Sequence, residues 1–146
     1  MVKWIHIADV HLGASPDAGD VYSKVRSQEL WDTFAEVIDI CEREQTDLLL
    51  IAGDLFHRQP LKKELKEVDY YFSRLSRTKV VLIAGNHDFL KKDSYYRSFQ
   101  WSSNVYPLFD KEPECVIFED IDVAVTGFSY ESREILTPFD GGIRAE

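Results

Sequence analysis

A chain of 146 residues is long enough to bury one real core and short of two ordinary domains. Its 45% hydrophobic and 29% charged residues are the make-up of a globular protein and exclude a disordered or low-complexity one. The 26 acids against 17 bases leave a formal charge of −9, which disfavours tight binding to a phosphate backbone through surface charge alone and suits carboxylates neutralised by cations.

The first residues have no apolar run of signal-peptide length, and nothing later approaches a membrane span. Cys41 and Cys115 form no close pair, so a reducing cytoplasmic setting without membrane attachment is expected. Residues 3–8 read as a first strand and residues 13–24 as a polar loop. From Arg26 the period changes, because Leu30, Phe34, Val37, Ile38 and Cys41 recur at helical spacing; a helix is predicted from there to about residue 44. Residues 47–52 are apolar almost throughout, as in a parallel strand buried on both faces. Pro60 then stands where a helix can begin, and Leu61, Leu65, Val68, Phe72 and Leu75 follow on one helical face. Residues 79–84 predict a third strand. Asp93 or Ser94 is a cap for a short helix through Trp101, residues 104–108 are extended, and residues 116–118 and 123–128 form a strand pair around a turn at 119–122.

The order β-α-β-α-β predicts an α/β fold with right-handed crossovers and a largely parallel sheet flanked by helices. After a loop over 129–137, residues 138–146 offer no closing element. Residues 1–146 are therefore expected to be a single, partial domain of a longer protein.

Three strand ends carry the chemistry. They are Ala8-Asp9-Val10-His11, Ala52-Gly53-Asp54-Leu55-Phe56-His57 and Ala84-Gly85-Asn86-His87-Asp88. Ligands of open parallel sheets gather beyond the carboxyl ends of the strands. Asp9 and His11, one residue apart, can point the same way from an extended segment. A carboxylate with an imidazole suits manganese, iron or zinc better than magnesium alone. Asp54 adds a carboxylate able to bridge two cations, and Asn86 a neutral amide oxygen. Two cations about 3.5–4 Å apart can hold a phosphate and activate a water, with His87 as a donor to the phosphate or its leaving group.

Asp9-Val10-His11, Gly53-Asp54 and Gly85-Asn86-His87-Asp88 resemble the first three motifs of the calcineurin-like metallophosphoesterases. In finer pattern, His6-Ile7-Ala8-Asp9-Val10-His11-Leu12-Gly13 and Ala52-Gly53-Asp54-Leu55-Phe56-His57 are similar to the SbcD-type nucleases of double-strand-break repair complexes. Gly127-Phe128-Ser129-Tyr130 looks like a later strand end of the family. The resemblance implies a metallophosphoesterase-type α/β sandwich, with Asp9, His11 and Asp54 on one metal, Asp54 and Asn86 on the other, and His87 as the catalytic histidine. Two divalent ions are implied, manganese foremost, with iron, zinc or magnesium as alternatives. Where related phosphatases have an Asp three residues after the bridging Asp, this chain has His57, as nucleases of this type often do, which argues for a DNA phosphodiester. The implied activity is that of a metal-dependent DNA exo/endonuclease of DNA repair, with DNA and an SMC-like ATPase subunit as partners.

The family pattern also has later histidine ligands. This chain has four histidines, none beyond His87, so the second metal site is expected to be weak or empty and the chain itself nearly inactive. The alternatives are a metallophosphoesterase for nucleotides or small phosphate esters and a scaffold that has lost catalysis.

Several of these residues also have plain structural readings. Asp9, His11, Asp54 and Asn86 are good turn formers, His57 fits a simple loop histidine, and His6 reads as a satisfied core or interface residue. The face of Leu61 to Leu75 fits core packing or a homodimer seam. Tyr70, Tyr71, Tyr95, Tyr96 and Trp101 fit packing or base stacking.

Overall fold

The apolar runs of the sequence become four short parallel strands. They are β1 (Trp4–Ile7), β2 (Leu48–Ala52), β3 (Lys79–Ile83) and β4 (Val105–Pro107), ordered β1-β2-β3-β4 in one sheet. The computed structural model describes residues 1–15 and 19–137. Helix α1 (Asp20–Arg43) joins β1 to β2, and α2 (Lys62–Ser73) joins β2 to β3. Because consecutive strands are also neighbours in space, crossovers of one hand deliver both helices to the same face. There Leu49, Ile51, Val80 and Leu82 meet Phe34, Ile38 and Cys41 of α1 and Leu65, Val68 and Phe72 of α2. Fully burying each such side chain is worth about 1.5–3 kcal/mol.

The alternate residues of the same strands, Leu48, Leu50, Val81 and Ile83, face the other way. A hairpin covers them: β5 (Glu114–Phe118) pairs antiparallel with β6 (Val123–Gly127) and supplies Val116, Phe118, Val123 and Val125. Its turn is closed by Asp122 in the left-handed region at φ 56°. The molecule is thus an α/β sandwich layered as helices, four-stranded sheet and hairpin. The helices flank one face only, and β2 owes its second buried face to strands. The hairpin does not extend over β1, whose Trp4 is 59% exposed. His6, beside Trp4, is exposed as well and is not a satisfied core residue.

Other expectations shift for physical reasons. Helix α1 begins at Asp20 rather than Arg26. Its first turns carry exposed Val21, Tyr22 and Val25, and exposed apolar residues leave no hydrophobic period to read. The helix expected from 93 or 94 to Trp101 is only a 3-10 turn over Tyr95–Arg97, capped by the Ser94 hydroxyl, which accepts from the Tyr96 N–H. The aromatic residues in and after it turn inward: Tyr96 is buried, and Phe99 and Trp101 pack on the core. Leu65, Val68, Phe72 and Leu75 are buried against the chain's own sheet, which removes this face as a homodimer seam. Tyr96 and Trp101 are packing residues, whereas Tyr70 and Tyr95 remain exposed.

Cys41 is buried, which pushes its thiol up to about 11, and Cys115 is exposed; both are free. Among the described residues no helix is long and apolar enough to cross a membrane. Residues 138–146, and with them the absence of a closing element, lie outside the described residues.

Candidate active site

Parallel pairing of β1 and β2 does not stop where the strands do. The Asp9 N–H donates to the Gly53 carbonyl at 3.3 Å, His11 N–H to Asp54 at 3.0 Å and Leu12 N–H to Leu55 at 2.9 Å, and His57 N–H returns to Leu12 at 3.0 Å. Leu12, Leu55 and Phe56 anchor these two loops in the core. Polar residues between the anchors are thereby held at the carboxyl edge of the sheet.

The loop after β3 is tied to them through two carboxylates. Asp54, 5% exposed, accepts the His87 N–H on Oδ1 at 2.8 Å. Asp88, fully buried, accepts the Gly85 N–H at 2.8 Å on one oxygen, and the Phe56 N–H at 3.2 Å and the Tyr96 hydroxyl at 2.8 Å on the other. Burial holds the Asp88 carboxyl above its ordinary range, against the pull of these three donors, and raises the Tyr96 hydroxyl as well. Farther along, the Ser129 hydroxyl accepts the Ala84 N–H at 2.8 Å and donates to the Leu108 carbonyl at 2.7 Å. The segment after β6 therefore buttresses the end of β3.

Side chains at this edge are placed by strained backbone. Asp9, His11 and Asp54 all adopt left-handed φ, at 53°, 54° and 50°, a conformation costing a non-glycine residue about 1–3 kcal/mol. Gly85 makes room for the result, since a Cβ there would stand 2.2 Å from Asp54 Oδ1.

Two groups of ligand atoms result, each within 4.8 Å: Asp9, His11 and Asp54, and His11, His57 and His87. His11 belongs to both. Its Nε2 lies 3.7 Å from Asp9 Oδ1, and its Nδ1 lies 3.3 Å from His57 Nδ1. The three imidazole centroids are 4.8–5.2 Å apart. His57 is held below its usual pKa, first by burial and then by the neighbouring His11 and His87. His57, Arg58, Asn86, His87 and Arg133 line an open cleft of about 440 Å³. The Arg58 guanidinium is occupied by Glu64 in a bidentate pair at 2.9 and 3.0 Å.

The donor set fits a divalent cation. Asp54 Oδ1 is engaged by the His87 N–H, while the other carboxylate oxygen takes no hydrogen bond from the described residues and is free to meet a cation. Two carboxylates with one imidazole are the ligands that manganese, iron and zinc accept.

A family model described as calcineurin-like phosphoesterase matches residues 2–141. The chain belongs to that family. This phosphoesterase is 33% identical over 150 residues to the uncharacterized metallophosphoesterase YhaO of Bacillus subtilis, covering 92% of this chain and 35% of that protein. It is 36% identical over 92 residues to the DNA double-strand break repair protein Mre11 of Sulfurisphaera tokodaii, covering 60% of this chain and 22% of that one. The crystal structure of Pseudomonas putida nuclease MPE aligns with 98% of this chain and 79% of its own, at 17% identity and a TM-score of 0.42. The phosphoesterase chain spans 35% or less of the length of these two curated relatives.

Of the residues singled out in the sequence, Asp9, His11 and Asp54 converge, His57 and His87 join His11, and Asn86 faces the cleft next to His87. Sequence reasoning about the phosphoesterase missed two contributors. Asp88 stood in a quoted motif without a role, and its buried position behind the ligands shows only in three dimensions. Arg133 comes from a segment with no periodicity, so nothing marked it.

Proposed function

We propose that this phosphoesterase chain carries the first-metal half of a phosphodiesterase centre of the nuclease type, acting in DNA repair as a metal-dependent exo/endonuclease. The observation that supports it most is the convergence of Asp9, His11 and Asp54 at one sheet edge, with His87 tied to Asp54 through its N–H. In this reading Asp9, His11 and Asp54 hold one divalent ion, manganese foremost, and Asp54 and Asn86 contribute to a second. Such ions would supply charge neutralisation of the phosphoryl oxygens and a nucleophile at neutral pH. His87, its Nδ1 3.0 Å from the His57 carbonyl, presents its other ring nitrogen as proton donor to the departing oxygen. His57 lies beside it and lines the same cleft, from which Arg133 would face the phosphate. The natural partners would be DNA and an SMC-like ATPase, and residues 1–146 would act as one unit.

A manganese titration followed by electron paramagnetic resonance tests the metal site. One strong equivalent is expected, lost in Asp9→Asn and Asp54→Asn, with slow manganese-dependent cleavage of linear duplex DNA lost in His87→Gln. Manganese binding indifferent to both carboxylates would sink the reading. The charge of −9 favours a second reading, hydrolysis of nucleotides or other small phosphate esters. Faster turnover of a mononucleotide than of DNA would select it.

A further inference from the structure

We propose that His11, His57 and His87 form a second, alternative cation site, a three-imidazole zinc site that cannot be filled together with the carboxylate site. The proposal goes beyond the phosphodiesterase reading and rests on it only for that competition.

Three facts carry it. First, the 3.3 Å between His11 Nδ1 and His57 Nδ1 matches the ligand–ligand edge of about 3.3 Å set by a tetrahedral zinc with bonds of 2.0–2.1 Å. No ligand-atom separation in the cluster exceeds 4.8 Å, so closing to that edge takes a ring movement of about 1.5 Å at most, within reach of the side-chain torsions of His57 and His87, which line an open cleft. Second, the remaining imidazole is already oriented. His87 Nδ1 stands 3.0 Å from the His57 carbonyl, which must receive an N–H, so in the neutral ring the lone pair of His87 is on Nε2. A metal-ligating histidine is oriented by just such a donation from its other nitrogen. Third, three neutral nitrogens with an open fourth position facing the cleft are a zinc donor set. Arg133 lines the same cleft, but Arg58 is paired with Glu64, and the carboxylates of Asp9 and Asp54 lie alongside His11.

The exclusion follows from the chemistry of one ring. His11 turns Nδ1 toward His57 and Nε2 toward Asp9. A neutral imidazole has one lone pair and one N–H. With the lone pair on Nε2 it serves the carboxylate site, and with the lone pair on Nδ1 it serves the histidine site. Zinc held by the three imidazoles also occupies His57 and His87, so it blocks the proton donor of the proposed reaction.

Cobalt(II) is an optical stand-in for zinc, because four-coordinate cobalt absorbs strongly in the visible and six-coordinate, oxygen-rich cobalt weakly. The wild-type chain should develop the strong band with one equivalent of cobalt and lose it when zinc is added. The band should persist in Asp9→Asn and disappear in His57→Gln and, independently, in His87→Gln, with circular dichroism showing all three variants folded. No band in the wild type, a band that needs Asp9, or one that survives loss of His57 overturns the proposal. Manganese resonance on the same proteins should give the opposite pattern, lost in Asp9→Asn and kept in His57→Gln. If only the manganese pattern fails, the phosphodiesterase reading falls and the histidine site stands.

Discussion

Substituting Gly85 by alanine isolates the spacing between two loops. The added Cβ would lie 2.2 Å from Asp54 Oδ1, 2.7 Å from its Cγ and 2.6 Å from its amide nitrogen. Real Cβ atoms essentially never approach closer than 3.0 Å, so the carboxylate must retreat by about 0.8 Å and the backbone by about 0.4 Å. The backbone cannot move freely, since the Asp54 carbonyl accepts from His11 and its side chain from His87. Overpacking of this kind costs about 1–3 kcal/mol, equivalent in a chain of this size to a fall of roughly 2–12 °C in Tm. A misplacement near 1 Å costs on the order of 100-fold in a reacting site, and manganese affinity should fall along with stability. Urea unfolding reads the first effect and manganese resonance the second. Gly127→Ala is the control, because its Cβ would meet only the side-chain ends of Ile83 and Leu108, at 3.2 Å, and should stay at the low end of that range. A Gly85→Ala protein with wild-type stability refutes the steric argument. One that is destabilised yet binds manganese normally refutes the link from Asp54 to the metal.

Leu65→Ala opens a cavity in the helix-covered face and should cost about 2–5 kcal/mol by urea unfolding with no change in sedimentation; a change of association state at wild-type stability would restore the seam. Tyr96→Phe removes a 2.8 Å hydrogen bond to Asp88, worth about 1.5–3 kcal/mol while that carboxylate is charged. Because the folded Asp88 pKa is raised, its contribution to stability is present in acid and is lost as pH rises through that value. The hydroxyl opposes this rise by favouring the ionised form, so the deficit of Tyr96→Phe should grow from acid to neutral pH, and a deficit flat across a pH series of Tm values would contradict it. Arg133→Ala should raise KM for a phosphodiester while leaving manganese affinity intact; a loss of metal binding would give the guanidinium a structural role instead.

The parts legible in the sequence are those where one residue type answers to one physical demand. The apolar runs of β2 and β3 could only be buried strands, and the period of Phe34, Ile38 and Cys41 marked the face of α1 that packs. Apolar residues left exposed, such as Val21 and Val25, were silent. The helix expected near Ser94 shrinks to one turn, and Tyr96, Phe99 and Trp101 pack inward, at spacings of three and two that do not make one helical face. In the site, Asp9, His11 and Asp54 were visible because each follows a strand that had to end there. The shared role of His11 was not, since it depends on which nitrogen of one ring faces which loop. Arg133 lies in a segment that Ser129 and Tyr130 tie to the end of β3, a contact no local sequence pattern announces.

The left-handed backbone at Asp9, His11 and Asp54 has a consequence for anyone improving this protein by selection. Glycine adopts that conformation without penalty, so replacing Asp9 or His11 relieves strain on the order of 1 kcal/mol, whereas Asp54→Gly would also forfeit the bond from the His87 N–H. A library screened for heat resistance alone would accumulate glycine at the first two positions. Its winners would fold better and have lost the ligands, so thermal ranking has to be paired with a metal-binding screen from the first round.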